Sequence, residues 1–306
     1  MTNTASKQKK YKRLALRCSG SVSQSKRYTR SRVGNVVYVV FLLLFGIFSV
    51  LPLIYCITTS FKPLDELLIF PPTLFTVKRP TIANYTAIPD LLSGLSVPIT
   101  RYAFNSIFVS IIGTFLSVII SAMAAFVLSK TEMKFNKLIF TVVQFSLLFN
   151  AYTLSVPQYI VYSKIGIINT YLAYIVPAAA SSMGVFLMKQ YMDGYVPYAL
   201  IEAAHIDGAG WIGIFTRIVL PIVRPCVLTL VMFSFLGIWN SVPSGTIFSE
   251  SLKTLPTVMS TIAAGGLARS GSSMATSVIL MIFPIAVYLI SQGSIKETMG
   301  SAGIKG

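Results

Sequence analysis

Apolar stretches long enough to cross a lipid bilayer follow one another along this chain of 306 residues. A helix needs about 20 mostly apolar residues to cross a hydrocarbon layer of about 30 Å. Inside that layer no water is present to satisfy the backbone, so each stretch predicts a helix. Six such runs occur, at residues 36–58, 102–128, 138–156, 171–188, 218–239 and 275–291. The third is diluted by Gln144, Asn150 and Tyr152, and the fourth is short and holds Pro177. Pro221, Arg224 and Pro225 stand near the start of the fifth, and Pro284 lies inside the sixth. The first run is too long for a signal-peptide core and no small-residue cleavage site follows it, so it reads as an uncleaved span. Only 11% of residues are charged and 54% are hydrophobic, where a soluble domain carries about 25% charged residues. The fold class expected is an all-α polytopic membrane protein with about six transmembrane helices.

The net charge of +16 invites a nucleic-acid reading, but its distribution points elsewhere. Ten of the 25 basic residues precede residue 36, with no acid among them, directly before the first apolar run. That is a topology signal held near anionic lipid, with no nucleic-acid partner implied. With the tail in the cytoplasm, seventeen Lys and Arg residues fall on that side, including Lys130, Lys134, Lys137, Lys189 and Arg217. Seven fall outside: Lys62, Lys78, Arg79, Arg101, Lys164, Lys253 and Arg269. The bias follows the positive-inside rule and places both termini in the cytoplasm. The expected organisation is a basic tail (1–35), a transmembrane domain (36–291) and a cytoplasmic C-terminal tail (292–306).

The spans carry almost no charge. Arg224 is the exception, close enough to a span end to snorkel outward. Proton- or sodium-driven carriers keep acidic or histidine relays within the membrane, and none is present here. No GxxxxGK[ST] phosphate loop occurs either, so the energy for any transport comes from outside this polypeptide. Cys18, Cys56 and Cys226 are far apart and His205 is the single histidine. No metal site, disulfide framework or catalytic group is suggested.

The most informative stretch is residues 190–225, cytoplasmic on this topology. Pro197 suits a helix start, residues 198–206 read as a short helix, and Gly208 interrupts it. Asp207 has the chemistry to cap a following helix beginning near Ala209. The segment is unusually apolar for such a loop. Tyr198, Ile201 and Ala204 share one helical face, and Trp211, Ile214 and Phe215 line the next piece. Such a surface either packs back onto the spans or docks in a groove of a partner; the pattern does not choose.

Glu202-Ala203-Ala204, then Gly208, then Ile218, Leu220 and Pro221 fill every position of EAA-x3-G-x9-I-x-L-P. Asp207, Ala209, Phe215 and Pro225 match its extended form. The segment (about 190–221) resembles the EAA loop of ABC importer permeases. Weaker strings follow in family order: Ser60-Phe61-Lys62-Pro63 with Glu66, Asn84-Tyr85, Asn105-Ser106, Gly166 with Asn169-Thr170, Trp239-Asn240 and Thr254-Leu255-Pro256. Together they resemble the carbohydrate-uptake branch, the six-span partner of the maltose-type pair. The string from Ala302 to Gly306 is similar to the tail of members that import complex oligosaccharides.

The resemblance implies a bacterial-type cytoplasmic (inner) membrane importer built with a second permease, cytoplasmic ATPase subunits and an extracytoplasmic solute-binding protein. ATP and Mg would be bound by the ATPase, with no cofactor on this chain. Glu202, Ala203, Ala204, Asp207, Gly208 and Ala209 would form the ATPase-coupling surface. Ala203 and Ala204 permit close approach, and Gly208 lets the chain turn. Sugars offer hydroxyls and apolar ring faces, so Gln144, Asn150, Tyr152, Gln158, Trp239 and Asn240 are candidates for a substrate path. Ser181 and Ser182 in the fourth span add hydroxyls. The same residues also suit interhelical hydrogen bonding or an interfacial belt. The alternatives are a permease for polyamine, phosphate or peptide, an autonomous secondary carrier, and a membrane-embedded enzyme, for which no acid, base or nucleophile cluster is visible.

Overall fold

The computed structural model describes residues 32–69, 73, 75–92, 97–242, 245–266 and 269–302, with side chains excepted at 32–33, 151–152 and 293–302. The basic tail before residue 32, residues 303–306 and the Tyr152 side chain therefore lie outside the described ones. Every regular element among the described residues is helical, as apolar segments require where water cannot complete a backbone. The chain forms two units that divide between Ile54 and Tyr55.

The first apolar run forms α1 (Arg32–Ser60). From Val36 to Ile54 it is apolar on every side except at Ser49; Phe41, Phe45 and Phe48 are all more than half exposed. A helix of this kind suits lipid or another membrane helix.

In the second unit, α2 (Leu64–Leu67) and α3 (Ala83–Leu92) precede the long α4 (Ile99–Lys130). α4 is the axis: α7 (Leu172–Ala179), α8 (Ser182–Tyr195) and α11 (Arg224–Trp239) pack against it. Its buried face is built from small residues, Ser106, Ser110, Gly113, Ser117, Ser121 and Ala125. Small side chains let helices approach closely where hydrophobicity alone gives no drive for association. At Gly184 the approach is so close that a Cβ would lie 2.4 Å from the Ser121 hydroxyl. α12 (Leu255–Ala263) and α3 pack on α13 (Ser270–Ala302), around Ile88, Tyr102, Met259 and Ile262.

The expected apolar runs are helical, with different edges. α1, α4 and α13 outrun their predicted limits at both ends, and α13 passes without a break through the boundary expected at 291. The third run divides into α5 (Asn136–Ser146) and α6 (Ala151–Lys164). At 1.5 Å per residue these reach only about 17 and 21 Å, so neither crosses alone. The polar Asn150 sits at the break. The fourth run is bent after Ala179, where Ser181 caps α8 by accepting the Gly184 N–H at 3.0 Å. α7 and α8 together are still long enough to cross. The fifth does not begin at 218: Trp211–Ile222 (α10) and α11 meet at 82°. Pro225 has no N–H to give the Pro221 carbonyl and its ring clashes there, so one helix cannot run through it, and the chain turns at Val223. Arg224 is the exposed first residue of α11. Among the described residues, four helices, or five with the bent pair, thus meet the length and composition of a span.

Candidate functional site

Pro197 is the extended residue that starts α9 (Tyr198–Ile206). Ile201 and Ala204 on one face are buried with Ile214, Val219, Ala122, Phe126, Met188 and Met192. The expected apolar stripe thus packs back onto the helices, apart from the half-exposed Tyr198. The opposite face presents Glu202, Ala203, His205, Ile206 and Asp207 to the outside. Ile206 is 86% exposed, and Ile212 on α10 is 80% exposed.

The end of α9 is closed by a Schellman turn. The Ala209 N–H bonds to the Ala204 carbonyl and the Gly208 N–H to the His205 carbonyl, both at 3.0 Å. That turn needs a left-handed residue at its centre, and Gly208 has φ +80°. A Cβ there would meet nothing within 4 Å, so the requirement for glycine is conformational. Asp207 does not cap the next helix as expected. It is the C-cap of α9 (φ −72°, ψ 3°), and the extended Gly210 precedes α10. The reason is the Gly208 turn, which carries the chain past Asp207 before α10 begins. Ala209 is half-buried on the core behind. His205 packs against the Trp211 ring at 4.3 Å, and Trp211 meets Phe126 at 6.0 Å.

A polar clamp joins this loop to the end of α4. Lys130 is 4% exposed; its ammonium donates to the Val196 carbonyl at 2.6 Å and lies 4.6 Å from the Tyr198 ring centre. The Tyr198 hydroxyl donates to the Ser129 carbonyl at 2.5 Å, and the Ser129 hydroxyl to Asp193 Oδ1 at 2.5 Å. Asp193 also pairs with Lys189 at 2.6 Å. A buried ammonium persists only when such groups replace its water. α4, α8 and α9 are thereby held as one piece at their junction.

Further along α4 lies a cavity of about 590 Å³. Ser117 and Ser234 meet across its wall at 3.2 Å, and the Gln158 amide donates to the Tyr162 hydroxyl. Tyr159, Tyr174 and Phe233 also line it. Of the five path candidates whose side chains are described, only Gln158 is in this lining. Gln144 and Asn150 are exposed on or beside α5. Trp239 is 2% exposed, packed against Phe235 at 5.7 Å and Phe283 at 4.9 Å. Asn240 is exposed and its amide donates to the Leu236 carbonyl at 3.0 Å. Ser181 lines the cavity, whereas Ser182 accepts from Ser146 at 2.7 Å. Ser117, Ser234, Tyr159, Tyr174 and Phe233 escaped the sequence because a hydroxyl or ring in an apolar run does not reveal which side it faces.

No family model matches the chain. It is 33% identical over 214 residues to protein LplC of Bacillus subtilis (strain 168), covering 68% of each chain. It is 29% identical over 216 residues to the polygalacturonan/rhamnogalacturonan transport system permease protein YtcP of the same organism, covering 69% of this chain and 71% of that one. Over 290 residues it is 28% identical to the inner membrane ABC transporter permease protein YcjP of Escherichia coli (strain K12), covering 92% and 99%. The chain belongs to the sugar ABC transporter permeases. A bacterial ABC transporter of the acidic polysaccharide alginate contains a chain of the same fold, with a TM-score of 0.70 at 20% identity, covering 87% of this chain and 98% of that one.

The short strings that carried the resemblance are structural fastenings in this permease. The buried Glu66 carboxylate accepts the Lys78 N–H at 3.0 Å, and the Lys62 ammonium donates to the Thr73 carbonyl. The Asn84 amide donates to the Ser60 and Lys62 carbonyls at 2.9 and 2.7 Å. Asn105 likewise holds the Ser251 and Lys253 carbonyls at 2.8 and 2.9 Å. Ser106 accepts the Leu255 N–H at 2.6 Å. Asn169, left-handed at φ 57°, accepts the Phe248 and Ser249 N–H groups at 3.1 and 2.9 Å. Each pins a loop whose backbone would otherwise lack partners.

Proposed function

We propose that this permease works in the cytoplasmic membrane as one of two membrane subunits of an ATP-driven importer of a sugar or oligosaccharide. An extracytoplasmic binding protein delivers the cargo, and separate ATPase subunits bind ATP and Mg and supply the energy. The exposed face of α9 and α10, with Glu202, Ala203, His205, Ile206, Asp207 and Ile212, docks on the ATPase. One observation carries this reading: α9 is buried on one face and held by its Schellman turn, while Ile206 on its other face and Ile212 on α10 are both almost fully exposed. Such side chains are what a partner groove takes. Glu202 supplies a charge for a basic residue of the ATPase.

Docking there has a mechanical consequence. The clamp through Lys130 makes any movement of α9 a movement of α4, and α4 carries Ser117 at the cavity wall. ATP binding would thus bias a two-state membrane element. The cavity, with Gln158, is the part of the sugar path this chain contributes.

Purification of the chain from its native membrane in mild detergent tests the reading. Recovery with a second permease and an ATPase supports it, and the binding protein of that system then identifies the cargo. A binding protein that takes polyamine, phosphate or peptide would refute the sugar. Recovery alone, with ATP-independent uptake in proteoliposomes, would restore the autonomous carrier.

A further inference from the structure

We propose that the cavity selects an uncharged glycan and rejects uronates; this rests on the sugar-importer reading and names the class of sugar. Two lining side chains offer ring surfaces to a pyranose: Tyr159 is 42% exposed and Phe233 52%. The Ser117–Ser234 pair and the Gln158–Tyr162 pair set hydroxyl and amide groups for sugar hydroxyls. These are the two kinds of contact a neutral sugar uses. Ser117 is 1% exposed and locked to its partner, so the polar edge is built rather than incidental.

No described lining residue carries a charge. The internal segments outside the described residues (70–72, 74, 93–96, 243–244 and 267–268) contain no ionisable side chain in the sequence, so they add no cation. Among the described basic side chains elsewhere, Lys130 is engaged with Val196, Lys189 with Asp193, Lys253 with Glu250 and Arg79 with Asp65. Arg101 bonds to Tyr171 at 3.3 Å. On α6, Lys164 stands two positions and about 3 Å beyond the lining Tyr162, but it is turned about 160° round the helix from that residue and is exposed. A carboxylate entering this cavity would therefore leave water without a counter-charge in the described lining, which disfavours it. The importer whose fold this chain shares handles an acidic polysaccharide; the cavity of this chain points to the opposite selection.

The importer complex, purified in detergent, would be tested by saturation-transfer NMR with trigalacturonate and its full methyl ester, which share a skeleton and differ in charge. Transfer to the ester should exceed transfer to the acid by roughly tenfold or more. Ser234→Lys should reverse that order, and Ser117→Phe, which fills the cavity, should abolish transfer to the ester. Equal or greater transfer to the acid in the unaltered complex overturns the inference. So does ester transfer that survives Ser117→Phe, or no transfer to either the ester or neutral raffinose. The ATPase found in the purified complex is scored separately. Its presence with no neutral-sugar signal refutes this inference alone, whereas its absence refutes the importer reading.

Discussion

Gly208 gives the sharpest quantitative test of the coupling loop. It holds φ +80° at the centre of the Schellman turn, and a Cβ there would touch nothing within 4 Å. Substitution therefore perturbs backbone conformation without steric contact. The left-handed region costs an ordinary L-residue about 1–2 kcal/mol, while asparagine adopts it with less penalty. Alanine should thus cost about 1 kcal/mol and valine, being β-branched, about 2 kcal/mol or more. Those values shift the ratio of capped to uncapped loops by about 5- to 30-fold. The assay is cargo uptake per ATP hydrolysed by the reconstituted importer, with membrane insertion checked beside it. The expected order is glycine, asparagine, alanine, valine, with insertion unchanged throughout. Valine at wild-type coupling, or asparagine as damaging as valine, would refute a conformational role for Gly208.

Other consequences follow from the same geometry. Lys130→Met removes the bond to Val196 and the contact with Tyr198; uptake per ATP should fall severalfold while the ATPase stays bound, and Tyr198→Phe should give a milder loss. Glu202→Lys should weaken ATPase retention during purification without altering thermal stability, because Glu202 is exposed. Gly184→Val must displace Ser121 and should destabilise the α4–α8 packing by about 1–3 kcal/mol, seen as a lower unfolding temperature in detergent. Asn169→Ala removes the acceptor of two exposed loop N–H groups and loses a residue suited to positive φ; a loss of about 1–2 kcal/mol should appear as faster proteolysis near residue 248.

The short helix 198–206 was legible because a proline and a glycine punctuate it, and both do locally what their chemistry dictates. Asp207 misled because an aspartate near a helix boundary suits either a C-terminal turn or an N-cap. The positive φ of Gly208, which decides between them, is a property of the folded chain. The span edges shifted for a related reason: hydropathy locates apolar runs but not the bends at Val223 or after Ala179. The clamp was invisible, since Lys130 and Val196 stand 66 residues apart and a lysine after an apolar run reads as an interfacial anchor. The path residues were only partly legible. Trp239 and Gln158 look alike as polar-edged residues near span ends. Packing sends one between Phe235 and Phe283 and the other to the cavity.

The central claim is that the exposed face of α9 is where the ATPase docks. The most direct measurement is site-specific crosslinking from Ile206→Cys, with the three native cysteines replaced, in membranes containing the whole importer. A crosslink to the ATPase that strengthens or weakens with ATP is expected, and none from a cysteine at Leu148, which is also well exposed but on another part of the chain. A crosslink from Leu148 but not from Ile206, or none to any ATPase from either, would contradict it.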